Sequence, residues 1–192
     1  MTRLFAACAL ATLLAGCATT ADQLHGSVQP PAGQGHAIVA MTVRTYAPDT
    51  ASATLYWHGV DNALSGSLRA DFAQDTIFGP VGSTSADGKL QLLALPPGRY
   101  QLGHAVARWR SDTGGDDLAI NVPRIVTLPL NLPFSVQAGQ SVYLGDIRFN
   151  LDYRPDITVL DSRQRDYSHM QRMWKVNDSN SVQPQLLPGA QQ

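Results

Sequence analysis

Between residues 64 and 72 the chain alternates without interruption, with Leu64, Gly66, Leu68, Ala70 and Phe72 on one side and Ser65, Ser67, Arg69 and Asp71 on the other. A period of two belongs to a strand with one buried and one wetted face. The pattern recurs in Val39, Met41 and Val43 after His36, and in Leu55 and Trp57 within 54–58. It returns as a buried run from Leu90 to Leu95, in Tyr100 to Trp109, and in Val142 to Phe149, with Leu151 to Leu160 as a last extended piece. Turn chemistry separates these runs: Asp87-Gly88, Pro96-Pro97-Gly98 and Ala138-Gly139-Gln140. At the second of these, Gly98 is expected to take φ > 0 in a hairpin-like corner. No helix-length segment of period 3.6 lies between the strands, so an antiparallel β-sandwich is expected over residues 36–160 rather than a parallel α/β sheet. Pro123, Pro129 and Pro133 interrupt the apolar stretch that follows Ser111–Asp117. Lacking N–H donors, they put it at a sheet edge or in a crossover connection.

Composition narrows the function classes. A net charge of −1 gives no steering toward nucleic acid, and 15% charged against 44% hydrophobic residues describes a folded body rather than a disordered one. The only cysteines are Cys8 and Cys17. Arg3 followed by the apolar run Leu4–Leu14 reads as a signal segment, too short to span a bilayer. The next residues, Leu14-Ala15-Gly16-Cys17, resemble the signal of bacterial lipoproteins. By that resemblance residues 1–16 are removed and Cys17 is the acylated N-terminus, the covalent lipid being the only group expected on the chain. No free cysteine pair would then remain for a disulfide. Ala18 lacks the aspartate that holds such lipoproteins in the inner membrane, so the resemblance implies a periplasm-facing anchor in the outer membrane. Residues 17–35, small, polar and closed by Pro30-Pro31, read as a flexible tether.

Two further stretches, Leu95-Pro96-Pro97-Gly98-x-Tyr100-x-Leu102 and Ala138-Gly139-Gln140-x-x-Tyr143-Leu144-Gly145, resemble the small prealbumin-like sandwiches of the carboxypeptidase regulatory type. The resemblance covers about residues 36–150 and implies a fold, not an activity. Residues 111–132 depart from it as an insertion.

After Asp161 the period changes. Asp161 or Ser162 can cap a helix over 161–176, with Tyr167, Met170, Met173 and Trp174 on one side and Arg163, Arg165, Arg172 and Lys175 on much of the rest. The tail 177–192 reads as loosely held. Its own sheet is the ordinary burial site for such a stripe, yet Met170, Met173 and Trp174 also suit an adaptable docking surface.

Catalytic constellations do not emerge. The serines in Gly66-Ser67-Leu68 and Gly82-Ser83-Thr84 lack the nucleophile-elbow pattern. His25, His36, His58, His104 and His169 have no metal-ligand spacing, and Asp112, Asp116 and Asp117 lack the register of a calcium loop. No metal ligand and no catalytic residue is assigned. Arg108-Trp109-Arg110 suits a sugar or an anionic partner if exposed, although period two equally allows Trp109 inward with both arginines outward. The expected function is a non-enzymatic envelope lipoprotein that binds or scaffolds another envelope protein or a cell-wall component. The alternative is a hydrolase or carbohydrate-acting enzyme whose site is assembled from distant residues.

Overall fold

A computed structural model describes residues 20–111 and 122–191. It is mainly β, with two sheets packed face to face. The first carries β1 (Gly35–Arg44), β4 (Thr76–Ile77), β5 (Ala86–Leu95), β8 (Ser141–Asn150), β9 (Asp156–Leu160) and β10 (Gln183–Pro184), in the order β10-β8-β1-β5-β4, with β9 also on β8. The second carries β2 (Ser52–Gly59), β3 (Ser65–Asp71), β6 (Gly98–Ser111) and β7 (Val122–Val136), in the order β3-β2-β6-β7. Helices α1 (Thr20–Leu24) and α2 (Arg163–Met173) complete the described chain, with two short 3-10 turns.

The second sheet is antiparallel throughout, as the alternation predicts. The first is mixed, because β8 runs parallel to both β1 and β10. The chain crosses between the sheets after β1, β3, β5 and β7, so β1 and β8 are not joined directly and can run parallel. Pro96-Pro97 carries the chain from β5 in the first sheet to β6 in the second, so the expected hairpin is instead an inter-sheet corner. Tyr100 closes that corner by donating its hydroxyl to the Pro96 carbonyl at 2.7 Å. Gly98 does not take the positive φ expected of it; Gly139, in the crossing from β7 to β8, does, at +74°. Asp87-Gly88 is no turn either but lies inside β5, with Gly88 opposite Thr42. A Cβ on Gly88 would sit 2.3 Å from the Met41 carbonyl oxygen, so glycine is there for closeness of approach.

β7 is the edge strand of its sheet. Pro123, Pro129 and Pro133 pair with Arg110, His104 and Gln101, all on the outward phase of β6. Because β7 has no strand on its other side, their missing N–H groups interrupt no ladder beyond the edge pair.

Burial explains the layering. Ala37, Val39 and Met41 of β1 join Leu55, Leu68, Tyr100, Leu102, Ala107, Trp109, Phe134, Ile147 and Phe149 between the sheets. Ile38 and Ala40 point the other way, into a second apolar cluster with Leu24, Val28, Tyr143, Met170, Trp174, Val176 and Val182. The first sheet is thus buried on both faces, roofed by α1, α2 and the tail. This corrects two expectations. From Thr20 onward the tether is packed, because Leu24 and Val28 bring apolar side chains to the roof, and the tail is held by Val182 and Leu187. Cys17 and Asp112, Asp116 and Asp117 lie outside the described residues.

Candidate functional site

Beneath α2, two aspartates are buried together. Gly145, at φ +109°, sits in a bulge that shifts the β1–β8 register, after which Asp146 faces the roof as Tyr143 does before it. Thr42 Oγ1 donates to Asp146 Oδ1 at 2.7 Å, and Ser162 Oγ and the Arg165 guanidinium donate to Oδ2 at 3.2 and 3.1 Å. Arg165 Nε also donates to Asp166 Oδ1 at 2.7 Å, while the Tyr143 hydroxyl donates to Oδ2 at 2.5 Å. Ser162 therefore stands at the N-terminus of α2 with its hydroxyl turned to the sheet rather than capping the helix. Burial pushes the Asp166 carboxyl up to about 6 against the pull of Arg165 and Tyr143, and burial followed by Asp166 raises the Tyr143 phenol. Both carboxylates are fully buried, so this network clamps α2 to the first sheet and leaves no path for a substrate.

Two histidines are likewise consumed by structure. Phe78 N–H donates to His169 Nδ1 at 3.0 Å, which leaves the imidazole proton on Nε2; burial, with Arg165 and Arg172 nearby, pushes its pKa down to about 4. His36 Nδ1 lies 3.0 Å from the Val28 carbonyl, which also accepts from Ser141 Oγ at 2.5 Å. Nδ1 is then the protonated nitrogen, so it cannot take a proton from Ser141 although the two atoms are 3.3 Å apart. The pair grips Val28 and is not a nucleophile with its base. Among the described residues no cluster of three metal-ligating side chains occurs, and no helix is long and apolar enough to cross a membrane.

The uncovered surface is the outer face of the second sheet. Ladder partners share a face, which sets out the rows Ser67–Tyr56–His104–Pro129, Arg69–Thr54–Val106–Thr127 and Asp71–Ser52–Arg108–Ile125. Tyr56 and His104 stack with ring centroids 4.6 Å apart and 12° between planes. They border a depression of about 410 Å³ completed by His58, Ser65, Ser67, Gly103, Gly66 and Trp57. Gly66 is the close-approach residue here, since a Cβ on it would meet the Trp57 indole at 2.8 Å. The indole N–H of Trp57 is buried without an acceptor among the described residues. Beyond the stack, the exposed guanidiniums of Arg69, Arg108 and Arg110 form no ion pair or side-chain hydrogen bond among the described residues.

Of the residues singled out from sequence, Arg108 and Arg110 are exposed on this face, whereas Trp109 points inward into the core. Met170 and Trp174 are buried under α2 and leave the docking surface, because the sheet's roofed face takes them; Met173 alone is exposed. Tyr56, His58 and His104 carry the depression and were not picked out as a group. Period two does put Tyr56 and His58 on one face of their strand, but their meeting with His104 depends on the β2–β6 register.

No family model and no curated protein matches this chain. Two solved structures are similar in part. A leucine-rich repeat protein from Bacteroides thetaiotaomicron aligns at 10% identity and a TM-score of 0.36, over 62% of this chain and 14% of that one. A candidate cell adhesion protein from Parabacteroides distasonis aligns at 13% identity and a TM-score of 0.28, over 68% of this chain and 38% of that one. The chain spans well under half the length of either, and both superpositions are too loose to carry argument.

Proposed function

We propose that this chain is a lipid-anchored protein of the bacterial envelope, a non-enzymatic binding module on a prealbumin-like sandwich that faces the periplasm from the outer membrane. The reading of place rests on Leu14-Ala15-Gly16-Cys17, with Cys17 as the acylated residue. The reading of role rests on one asymmetry: the first sheet is roofed, while the second offers the Tyr56–His104 depression on the same face as three arginines that have no ion pair among the described residues. Aromatic rings with hydroxyls and imidazoles fit the faces and hydroxyls of a sugar, and guanidiniums fit its acidic substituents. The ligand class is therefore an acidic cell-wall glycan.

The test is sedimentation of the purified mature protein with isolated cell-wall sacculi and with a soluble acidic polysaccharide, across a salt series. Wild type should bind both, more weakly at high salt. Tyr56→Ala and Arg108→Ala should each weaken binding by about tenfold, one lost contact of 1–2 kcal/mol, without moving the melting temperature. Equal binding by wild type and both variants, or none by wild type, would reject the site.

A further inference from the structure

We infer that the end of α2 and the neighbouring Phe78–Gly82 loop form a second, non-covalent contact with the same bilayer that holds the lipid anchor. This rests on the lipoprotein reading of Cys17. Only Ala18 and Thr19 separate Cys17 from Thr20, the first residue of α1, so their Cα atoms are at most about 10 Å apart. The far end of that leash is not free to swivel. Leu24 and Val28 are buried beside Met170, Trp174 and Val176, and the Gly26 carbonyl accepts from Asn177 N–H at 3.0 Å. Asp178 holds the next two residues, taking the Ser27 hydroxyl at 2.6 Å and the Val28 N–H at 2.9 Å. An anchor attached there brings the roof, not the open sheet, to the membrane.

The surface presented at that end has the chemistry of a membrane interface. Val81 is 90% exposed, Met173 46% and Phe78 36%, three apolar side chains that reach solvent at this end. The loop is fixed to the helix by Phe78 N–H on His169 and by Arg172, which donates to the Gly79 carbonyl at 2.5 Å and lies 5.9 Å from the Phe78 ring centre. Arg172 and the exposed Lys175 flank the apolar group, as cations do where a surface rests among lipid headgroups. The leash holds the start of α1 within about 10 Å of the acylated residue, which makes the bilayer, rather than a second copy or a soluble partner, the occupant of this end. The open face of the second sheet lies on the far side of two layers, each about 10 Å thick, and so points into the aqueous space where a glycan is met.

The experiment uses the full mature protein reconstituted in vesicles of phosphatidylethanolamine and phosphatidylglycerol. Val81→Cys, Met173→Cys and, on the open face, Thr127→Cys each supply a thiol for a fluorophore, since Cys17 is the only other cysteine left once residues 1–16 are removed. Lipid-borne quenchers should dim the labels at 81 and 173 several-fold more than the label at 127. Intact mass of the N-terminal peptide reports acylation separately. Acylated, membrane-bound protein with equal quenching at all three positions overturns the contact and leaves the lipoprotein reading standing. Unacylated protein that still binds vesicles with the 81 and 173 labels quenched upholds the contact and rejects the anchor. Unacylated protein that does not bind rejects both.

Discussion

Asp166 and His169, three residues apart on α2, pull stability in opposite directions with pH. The Asp166 carboxyl titrates at about 6 when folded against 3.8 unfolded. A proton is therefore held more tightly by the folded state, so this contribution is complete below pH 3.8 and is lost as pH rises through about 6. His169 titrates at about 4 when folded against 6.5 unfolded, so its contribution is intact above 6.5 and is lost as pH falls toward 4. Difference curves separate the two. The melting temperature of Asp166→Asn should rise relative to wild type from pH 4 to 7, and that of His169→Gln should rise relative to wild type from pH 6.5 down to 4. A difference that is flat with pH in either variant would mean that the residue is not buried as described. Neither residue could be chosen from sequence. Asp166 stands in a run of polar side chains, and its burial arises only because Tyr143 and Asp146 of a strand some twenty residues earlier lie beneath it.

At the scale of elements, the alternation of polar and apolar residues carries each strand as far as its first bulge and no further. Along β6, strict period two would put Tyr100 and Leu102 on the face opposite Ala105, Ala107 and Trp109. All five are buried together, because the register slips at Gly103 and resets the phase. The same reset at Gly145 turns Asp146 to the roof. Bulges are set by pairing with a neighbour, which is why the strands were legible in the sequence and the composition of the open face was not. The stripe of α2 was legible too, but its partner was not: a roofed sheet face and an outside protein demand the same apolar residues. Burial separates them into a testable contrast. Trp174→Ala should cost about 3–5 kcal/mol in urea unfolding, as a large core aromatic does, while Met173→Ala should cost under about 0.5 kcal/mol. Comparable losses for the two would mean that the helix does not sit on the sheet in this orientation.

For the molecule as a whole, both ends of the described chain are sewn into one roof, and this makes the C-terminal segment part of the fold rather than an appendage. Its polar composition and two prolines argue for looseness, but composition averages over the few positions that matter. Val182 and Leu187 are buried, Gln185 N–H and Leu187 N–H donate to the carbonyls of Tyr143 and Leu144 at 2.9 Å each, and Asp178 binds Ser27 and Val28 across the sequence. Ending the chain at Asn177 would strip the second cluster of Val182, uncover β8 and release Ser27 and Val28 from Asp178. Two buried aliphatic side chains removed at about 2 kcal/mol or more each, with the Asp178 bonds in addition, amount to much of the 5–15 kcal/mol that holds a domain of this size together. The truncated chain should therefore unfold at a denaturant midpoint less than half that of the full chain, or fail to fold at room temperature. The loss should extend to β-sheet circular dichroism as a whole, because the roof and the first sheet share one core. A truncated chain with an unchanged midpoint would show that the tail rests on the surface without supporting it.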